Sequence, residues 1–246
     1  KREYNLDLVV TTPSVAYNVI MRDEMHKVIH NPLELPDLGV IDQIQEPWTS
    51  VDIISPESYI GSIMSLVSEK KGLYKNTEYL TGATDGTERR VILHFELPLA
   101  SILVDFYDTL KSVSSGYASL NYDVTEYRTA DVVRLDVIVA DDRVDSLATM
   151  VYRDQAHYVG KKIVQALKES LPREQFEIKL QAAVGSQIVA AERISALRKD
   201  VTAGLYGGDV SRKQKVLAKQ KKGKKRLKAS GKVEIPTDTF LKLLRR

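Results

Sequence analysis

The sequence predicts an α+β protein in which a β-α-β-β-α-β sandwich precedes a second, mixed α/β domain. Between residues 47 and 130, apolar residues alternate with polar ones in strand-like stretches, and two stretches between them follow helical spacing. Beyond residue 130 the order of strand and helix patterns changes. Hydrophobic residues make up 43% of the 246 residues, which is enough for two ordinary cores.

The first 46 residues carry strand patterns and then a proline-rich stretch. Leu6, Leu8 and Val10 alternate with other residues, and 15–20 reads as a second strand. Because two or three strands cannot bury a core, we expect 1–30 to be the end of a preceding domain. Lys1 is neither an initiator Met nor part of a signal sequence, so we expect it to lie inside a longer protein. Residues 31–46 are predicted to be a linker.

The first half of the sandwich is a strand, a helix and a strand. A strand around Val51 stops at Ser55, a candidate N-cap that is followed by Pro56 at the first helical position. Helical spacing follows, Gly72 ends the helix, and 73–80 reads as a strand that leads into a turn at 81–86. The apolar positions with helical spacing are Ile60, Ile63, Met64 and Val67.

The second half repeats the pattern in the order strand, helix, strand. Alternation from Val91 to Leu97 predicts a half-buried strand, and Gly116 closes the helix that follows it. That helix carries Leu103, Phe106, Tyr107 and Leu110 on one face, and the last strand carries Ala118, Leu120, Tyr122 and Val124. The element order of residues 47–130 is that of a ferredoxin-like sandwich, with two helices on one sheet face.

Residues 131–246 read as a separate mixed α/β domain. Strands are predicted at 133–139 and 176–180, a turn at Asp141-Asp142, and a helix at 160–169. Residues 190–199 are a weaker helix candidate. We expect 233–244 to dock as a strand and a short helix.

A strongly basic segment, 211–232, stands out against the rest of the chain. It holds eleven of the 36 Lys and Arg residues and no acidic residue, which leaves 25 basic against 33 acidic residues elsewhere. Such a segment attracts polyanions, chiefly nucleic acid or anionic lipid. Because like charges repel at helical spacing, we expect the isolated segment to be a poor, mobile helix. Its three large apolar residues favour RNA over a membrane surface, which needs a broader apolar stripe.

The sequence gives little support for a catalytic, metal-binding or nucleotide-binding site. With no cysteine, disulfides and thiolate metal sites are excluded, and no G-x-x-x-x-G-K-[ST] phosphate loop occurs. His26 and His30 are four residues apart but lie in a strand or turn pattern, and His94 falls on the polar phase of a strand. We therefore predict no catalytic residue and no metal site. Tyr206, among Gly204, Gly207 and Gly208, is either a base-stacking residue or a core tyrosine.

Several stretches resemble the LepA family of translational GTPases. The most specific is 200–228, and the others are 6–15, 116–122, 173–178, 181–185 and 233–236. The resemblance runs over essentially the whole chain. It implies that 1–30 ends one ferredoxin-like domain, that 47–130 is the ferredoxin-like domain shared with elongation factor G, and that 131–246 is a C-terminal RNA-binding domain specific to the family. Ser115 and Leu205 depart from the family pattern, where Arg and Cys are usual.

The family resemblance also implies a function. Its members are GTPases that bind the ribosome and remodel tRNA positions, by back-translocation or by rescue of stalled elongation. GTP and Mg would belong to a G domain outside this chain, so we expect no cofactor here and no GTP hydrolysis by these residues alone. We expect a cytoplasmic monomer that binds ribosomal RNA and tRNA, and a peripheral association with the inner membrane is left open.

The predicted RNA-binding residues are basic side chains that would pair with phosphates, together with one aromatic ring. They are Arg212, Lys213, Lys215, Lys219, Lys221, Lys222, Lys224, Lys225, Arg226 and Lys228, with Arg198, Lys199 and Tyr206 as secondary candidates. Three alternatives remain open. They are a peripheral module that binds anionic membranes, an enzyme that uses His94 or Asp141 in a cleft, and a single-domain RNA-recognition fold suggested by 116–122.

Overall fold

The chain folds into two compact units that meet in sequence between Val132 and Val133. The computed structural model describes residues 14–80, 89–197, 200–202, 210–230, 233, 235–236, 239–240 and 243. The turn predicted at 81–86 and the strand around Leu8 lie outside the described residues.

The first unit is a six-stranded antiparallel sheet with helices on one face. Its elements are β1 (Tyr17–Met21), β2 (His26–Ile29), β3 (Ile41–Pro56), α1 (Ile60–Glu69), β4 (Leu73–Tyr79), β5 (Arg90–Pro98), α2 (Leu99–Leu103), α3 (Phe106–Val113) and β6 (Ser119–Thr129). The strand order is β2-β1-β3-β5-β4, and β6 also pairs with β3. From β3 to β6 this is the predicted β-α-β-β-α-β sandwich, so the α+β class is confirmed.

The core of this unit lies between the sheet and its helices. The alternating residues of β3 and β5 point to it, and they meet the buried faces of α1 and α3. The buried members include Val51, Ile53, Val91, Leu93, Phe95, Leu97, Ile63, Leu66, Phe106 and Leu110. Full burial of such a side chain contributes about 1.5–3 kcal/mol each, so this face holds the sandwich together. The alternation places polar residues on the opposite face of the sheet.

The start of the first helix differs from the prediction. Strand β3 continues to Pro56, a 3₁₀ turn at Glu57–Tyr59 follows, and α1 begins only at Ile60. Ser55 is therefore not an N-cap, and its hydroxyl donates to the Pro56 carbonyl oxygen at 3.2 Å. The helix ends as expected before Gly72, whose N–H donates to the Val67 carbonyl at 2.8 Å.

The second helix is broken, which the sequence pattern did not indicate. Asp105 adopts a left-handed conformation with φ 57°, and its carbonyl oxygen accepts the backbone N–H of Thr109 at 2.9 Å. This residue separates α2 from α3, so one helical spacing cannot run across both. Phe106 and Leu110 are buried as predicted, but Leu103 and Tyr107 are exposed.

The predicted linker is partly wrong. Residues 41–46 belong to β3, and β1 pairs with them through Asn18 opposite Gln45. The alternation is hidden there because Asp42, Gln43, Gln45 and Glu46 are all polar. The β1–β2 hairpin therefore shares a sheet with the sandwich. That residues 1–30 end a preceding domain stays a prediction.

The second unit is a five-stranded sheet with one long packed helix. Its elements are β7 (Val132–Val139), β8 (Asp142–Arg143), β9 (Thr149–Tyr152), α4 (Ala156–Ser170), β10 (Ile178–Val184), β11 (Gln187–Ile194) and α5 (Val210–Ser230). The strand order is β11-β10-β7-β8, and β9 also pairs with β7. Buried residues of β7, β10 and α4 form the core, to which Leu243 belongs and against which Val233 and Ile235 pack.

The helix candidate at 190–199 is wrong. Gln187–Ile194 is strand β11, paired antiparallel with β10 so that Leu180 lies opposite Glu192. The pair of alanines at 190 and 191 favours a helix locally, but the β10 edge and the turn at Gly185 (φ 59°) determine the conformation. The turn predicted at Asp141-Asp142 lies one residue earlier, because Ala140 and Asp141 have φ 53° and 72° and connect β7 to β8, to which Asp142 belongs.

Candidate nucleic-acid interface

The basic segment forms helix α5, which is 21 residues long and therefore about 30 Å. It contains ten Lys and Arg residues and no acidic residue. Within the chain, Val210–Ser230 is therefore helical, and the expectation of a poor helix for the isolated segment stays a prediction. Lys, Arg, Gln, Leu and Ala all have high intrinsic helix propensity, and α5 has no proline and a single glycine, Gly223. These propensities offset the repulsion between like charges.

One side of α5 is partly covered by the rest of its unit. The half-buried residues Lys213, Val216, Gln220 and Lys224 are spaced by three, four and four positions, as one face of a helix requires. The Lys224 ammonium donates to the Leu197 carbonyl oxygen at 2.7 Å. The Leu197 N–H in turn donates to the Glu174 carbonyl oxygen at 2.7 Å. These two bonds connect the helix to the segments on either side of the β10–β11 hairpin.

A second side of α5 is exposed and basic. Arg212, Lys215, Lys219 and Lys222 are spaced by three, four and three positions, and all four are exposed. In the part of the chain that the structure describes, no hydrogen bond or ion pair involves Lys215, Lys219 or Lys222. Lys221 is also exposed. These side chains present positive charge to solvent with no carboxylate on the same helix.

The remaining predicted RNA-binding residues form two sets. Lys225, Arg226 and Lys228 belong to α5 as well. Arg198, Lys199 and Tyr206 lie outside the described residues, so the choice between a stacking and a core role for Tyr206 stays open.

The apolar content of α5 is small and bears on a membrane role. Its aliphatic residues larger than alanine are Val210, Val216, Leu217 and Leu227. Four such residues in 21 do not form the broad apolar stripe of an interfacial helix. Among the described residues, no helix is both long and apolar enough to cross a bilayer.

His94 lies in β5, on the sheet face opposite the helices. Its Nδ1 atom is 2.6 Å from an Asp52 carboxylate oxygen, and its Nε2 atom is 3.5 Å from a Glu78 oxygen. The predicted polar phase is thus correct, and the imidazole is held by two neighbouring strands. Within the described ranges, no three His, Asp or Glu side chains are grouped so as to hold a metal ion.

An ion-pair cluster on the same sheet face was missed by sequence reasoning. The Glu96 carboxylate lies 2.9 Å from Lys75 Nζ and 2.7 Å from the Arg128 guanidinium. Arg128 also pairs with Glu126 at 2.7 Å, and its guanidinium lies 4.5 Å from the centre of the Trp48 ring. The hydrogen bond from Arg128, followed by that from Lys75, holds the pKa of Glu96 below its ordinary value. Strand alternation puts Glu96 on this face, but only the pairing of β3 with β6 brings Arg128 to it.

Asp141 does not sit in a catalytic arrangement. Its carboxylate is 3.8 Å from the Lys179 ammonium and is exposed. Close by, an open cavity of about 590 Å³ is lined by the polar residues Asp142, Arg143, Asp145 and Ser146 and the apolar residues Val139, Val144, Val233, Ile235 and Phe240. Among the described residues that line it there is no histidine, and no hydrogen bond joins the Ser146 hydroxyl to a base, so these residues give no support to acyl or phosphoryl transfer.

Comparison with known proteins places both halves of the chain. A family model described as the C-terminus of the GTP-binding protein LepA matches residues 139–245, and one described as the C-terminus of elongation factor G matches residues 43–138. Elongation factor 4 of Chlorobium phaeobacteroides (strain BS1) is 50% identical over 244 residues, which cover 99% of this chain and 39% of that protein. Elongation factor 4 of Picosynechococcus sp. (strain PCC 7002) is 49% identical over 245 residues, covering 100% and 40% respectively.

A relative from an organelle gives the same result. The translation factor GUF1 homolog of the Paulinella chromatophora chromatophore is 49% identical over 99% of this chain and 40% of its own length. The chain thus spans about two fifths of the length of these curated relatives. High identity over nearly every residue of the chain, together with the two family models, leads to one assignment. The chain belongs to the LepA family and matches the C-terminal region of its members.

Proposed function

We propose that this chain is the part of a translational GTPase that binds ribosomal RNA and tRNA, and that α5 makes the phosphate contacts. The observation that carries the proposal is the exposed basic side of α5, formed by Arg212, Lys215, Lys219 and Lys222. Membership of a family whose curated relatives are named elongation factor 4 supports a ribosomal setting.

The physical basis is the exchange of counterions for lysine and arginine. An RNA backbone carries condensed cations, and each phosphate neutralised by the protein releases them, which makes binding favourable and salt-dependent. The same contact also removes the repulsion among the ten like charges of α5. A helix of this composition therefore gains more from a polyanion than a helix of mixed charge would.

The wider role follows from the family and concerns the longer protein. GTP and Mg would be bound by a G domain outside this chain, and hydrolysis would drive a change in tRNA position on the ribosome. That change would be back-translocation or the rescue of stalled elongation. The chain would act as a binding arm and would not hydrolyse GTP by itself.

Charge reversal on α5 tests the proposal. The variant K215E/K219E/K222E should lose co-sedimentation with ribosomes at moderate salt, while its circular dichroism shows an intact fold. The matched control is K161E/K162E/R173E, which changes the net charge equally at three exposed positions of the same unit. The control should still co-sediment. Unchanged co-sedimentation of the α5 variant would rule out α5 as the ribosome-binding element.

Anionic lipid is the competing partner for a basic helix. Flotation with vesicles rich in anionic lipid, with and without added RNA, separates the two. We expect RNA to displace any vesicle-bound protein, because α5 lacks the apolar stripe that would anchor it. Flotation that RNA does not reduce would replace the RNA proposal with a peripheral membrane role.

A further inference from the structure

We infer that α5 contacts RNA through one face only, and that this face binds the phosphate backbone of a double-stranded segment without reading bases. The inference rests on the proposed function and specifies the surface and the class of RNA. It depends on how the basic side chains are divided around the helix and on which residue types α5 lacks.

Five lysines of α5 lie on two stripes with different surroundings, and exposed Lys221 lies between the stripes. With about 100° per residue, the half-buried stripe Lys213, Val216, Gln220 and Lys224 and the exposed stripe of Lys215, Lys219 and Lys222 lie roughly 140° apart. A straight RNA surface can contact only one of these stripes at a time. The exposed stripe is the one that a large ligand can reach.

The half-buried stripe is already engaged by the protein. Lys224 uses one N–H to bond the Leu197 carbonyl oxygen, and that residue is bonded onward to Glu174. Lys213 also takes part in contacts within the chain. Contact of RNA with Lys224 would have to compete with the bond from its ammonium to the Leu197 carbonyl oxygen. Lys213 and Lys224 therefore contribute charge at a distance, and direct phosphate contacts come from the other side.

The composition of α5 argues against base recognition. Single-stranded RNA is typically recognised by stacking of its bases on aromatic side chains, and α5 contains no aromatic residue. Lys, Arg and Gln side chains of α5 could pair with base edges, but the deep, narrow major groove of an A-form duplex keeps side chains away from those edges. Lysine contacts to phosphates fix position and carry no sequence information.

The geometry of the exposed stripe suits a regular row of phosphates. From Lys215 to Lys222 the helix rises about 10.5 Å, and neighbouring members of the stripe are separated by about 4.5–6 Å along the axis. The helical backbone that carries these lysines is already ordered, so only side-chain freedom is lost when the stripe meets a rigid ligand. An A-form duplex is such a ligand, whereas a flexible single strand must be ordered on binding.

Paired substitutions in the whole 246-residue chain test the choice of face. K215Q/K219Q removes two charges from the exposed stripe, and K213Q/K224Q removes two from the half-buried stripe. Affinity for a short RNA duplex should fall by roughly tenfold per lysine for the first pair at ~0.1 M salt, and the salt slope should shrink by about 2. The second pair should lower affinity less and leave the slope nearly unchanged. Equal losses in both variants would overturn the assignment to one face.

A second comparison tests the class of RNA. The wild-type chain should bind a short duplex more tightly than oligouridine of equal length, and changing the duplex sequence should not alter affinity. Tighter binding of oligouridine, or a preference among duplex sequences, would overturn the inference of backbone readout. These outcomes differ from failure of the proposed function, in which the wild-type chain would bind neither ribosomes nor either RNA.

Discussion

The carboxylate of Glu96 lies 2.7 Å from the guanidinium of Arg128, and this ion pair connects β5 to β6 across the intervening strand β3. The two strands are not neighbours in the sheet, so the pair clamps three strands on the face without helices. Arg128 also covers Trp48, the single tryptophan of the chain. Trp48 fluorescence can therefore report the unfolding of the first unit.

The Glu96 pair should make the first unit sensitive to acid. The folded-state pKa of Glu96 lies below its ordinary value because of Arg128 and then Lys75. Its stabilising contribution is thus present above about pH 4.5 and is lost as pH falls toward the folded-state value. The urea midpoint followed by Trp48 fluorescence should fall less steeply below pH 5 in E96Q than in the wild type. Identical acid profiles would show that the pair does not contribute to stability.

The buried phenol of Tyr17 should make the same unit sensitive to alkali. Burial, with a smaller contribution from the charge of Glu46, raises the pKa of Tyr17 above its ordinary value. The folded state keeps the proton, so the contribution to stability is complete below about pH 10 and is lost as pH rises above it. Between pH 9 and about 11, the urea midpoint of Y17F should fall less than the urea midpoint of the wild type. A steeper alkaline loss in Y17F would contradict this assignment.

Two glycine-to-alanine substitutions in the first unit should have opposite signs. A Cβ at Gly72 would collide with the buried side chain of Val67 and would lie 2.9 Å from Cγ of Leu97, so G72A should destabilise the unit by about 1–3 kcal/mol. A Cβ at Gly61 meets nothing within 4 Å on helix α1, so G61A should stabilise it by about 0.5 kcal/mol. Urea titrations followed by Trp48 fluorescence give both values. Equal effects in the two variants would mean that the side chains of Val67 and Leu97 move aside without a cost in stability.

A proline in α5 should separate the need for a helix from the need for charge. Ala218 is exposed near the middle of α5, and A218P would cost the helix about 3 kcal/mol while leaving every basic residue in place. If RNA binding depends on a continuous stripe, duplex affinity should fall about tenfold or more. The control A218S keeps the helix and should bind like the wild type. Loss of the circular dichroism signal at 222 nm without loss of binding would show that charge alone suffices.

Several parts of the fold could be predicted because their signals are local. Val91, Leu93, Phe95 and Leu97 face one core, and period-two alternation marks them directly in the sequence. The same holds for the helical face of α4 and for the turn at Asp141. In these elements the spacing of apolar residues indicates both the type of secondary structure and the side that is buried. Residues that are close in sequence are therefore enough to predict them.

Other parts could not be predicted because distant residues decide them. Residues 190–194 have helix-forming alanines, yet pairing with β10 makes them a strand. Asp105 breaks the second helix because it adopts a left-handed conformation, which no sequence motif predicts. Arg128 meets Glu96 only through the register of β6 on β3.

The basic segment shows both kinds of information together. Sequence alone determined the charge of the segment, because composition does not depend on folding. The resemblance to a known family supplied the expected partner. Only the tertiary structure decided which side of α5 is available. The bond from Lys224 to the Leu197 carbonyl oxygen and the partial burial of Val216 and Gln220 mark one stripe as the side nearer the rest of the unit. The exposed lysines Lys215, Lys219 and Lys222 lie roughly 140° around the helix from that stripe, where no hydrogen bond or ion pair among the described residues involves them.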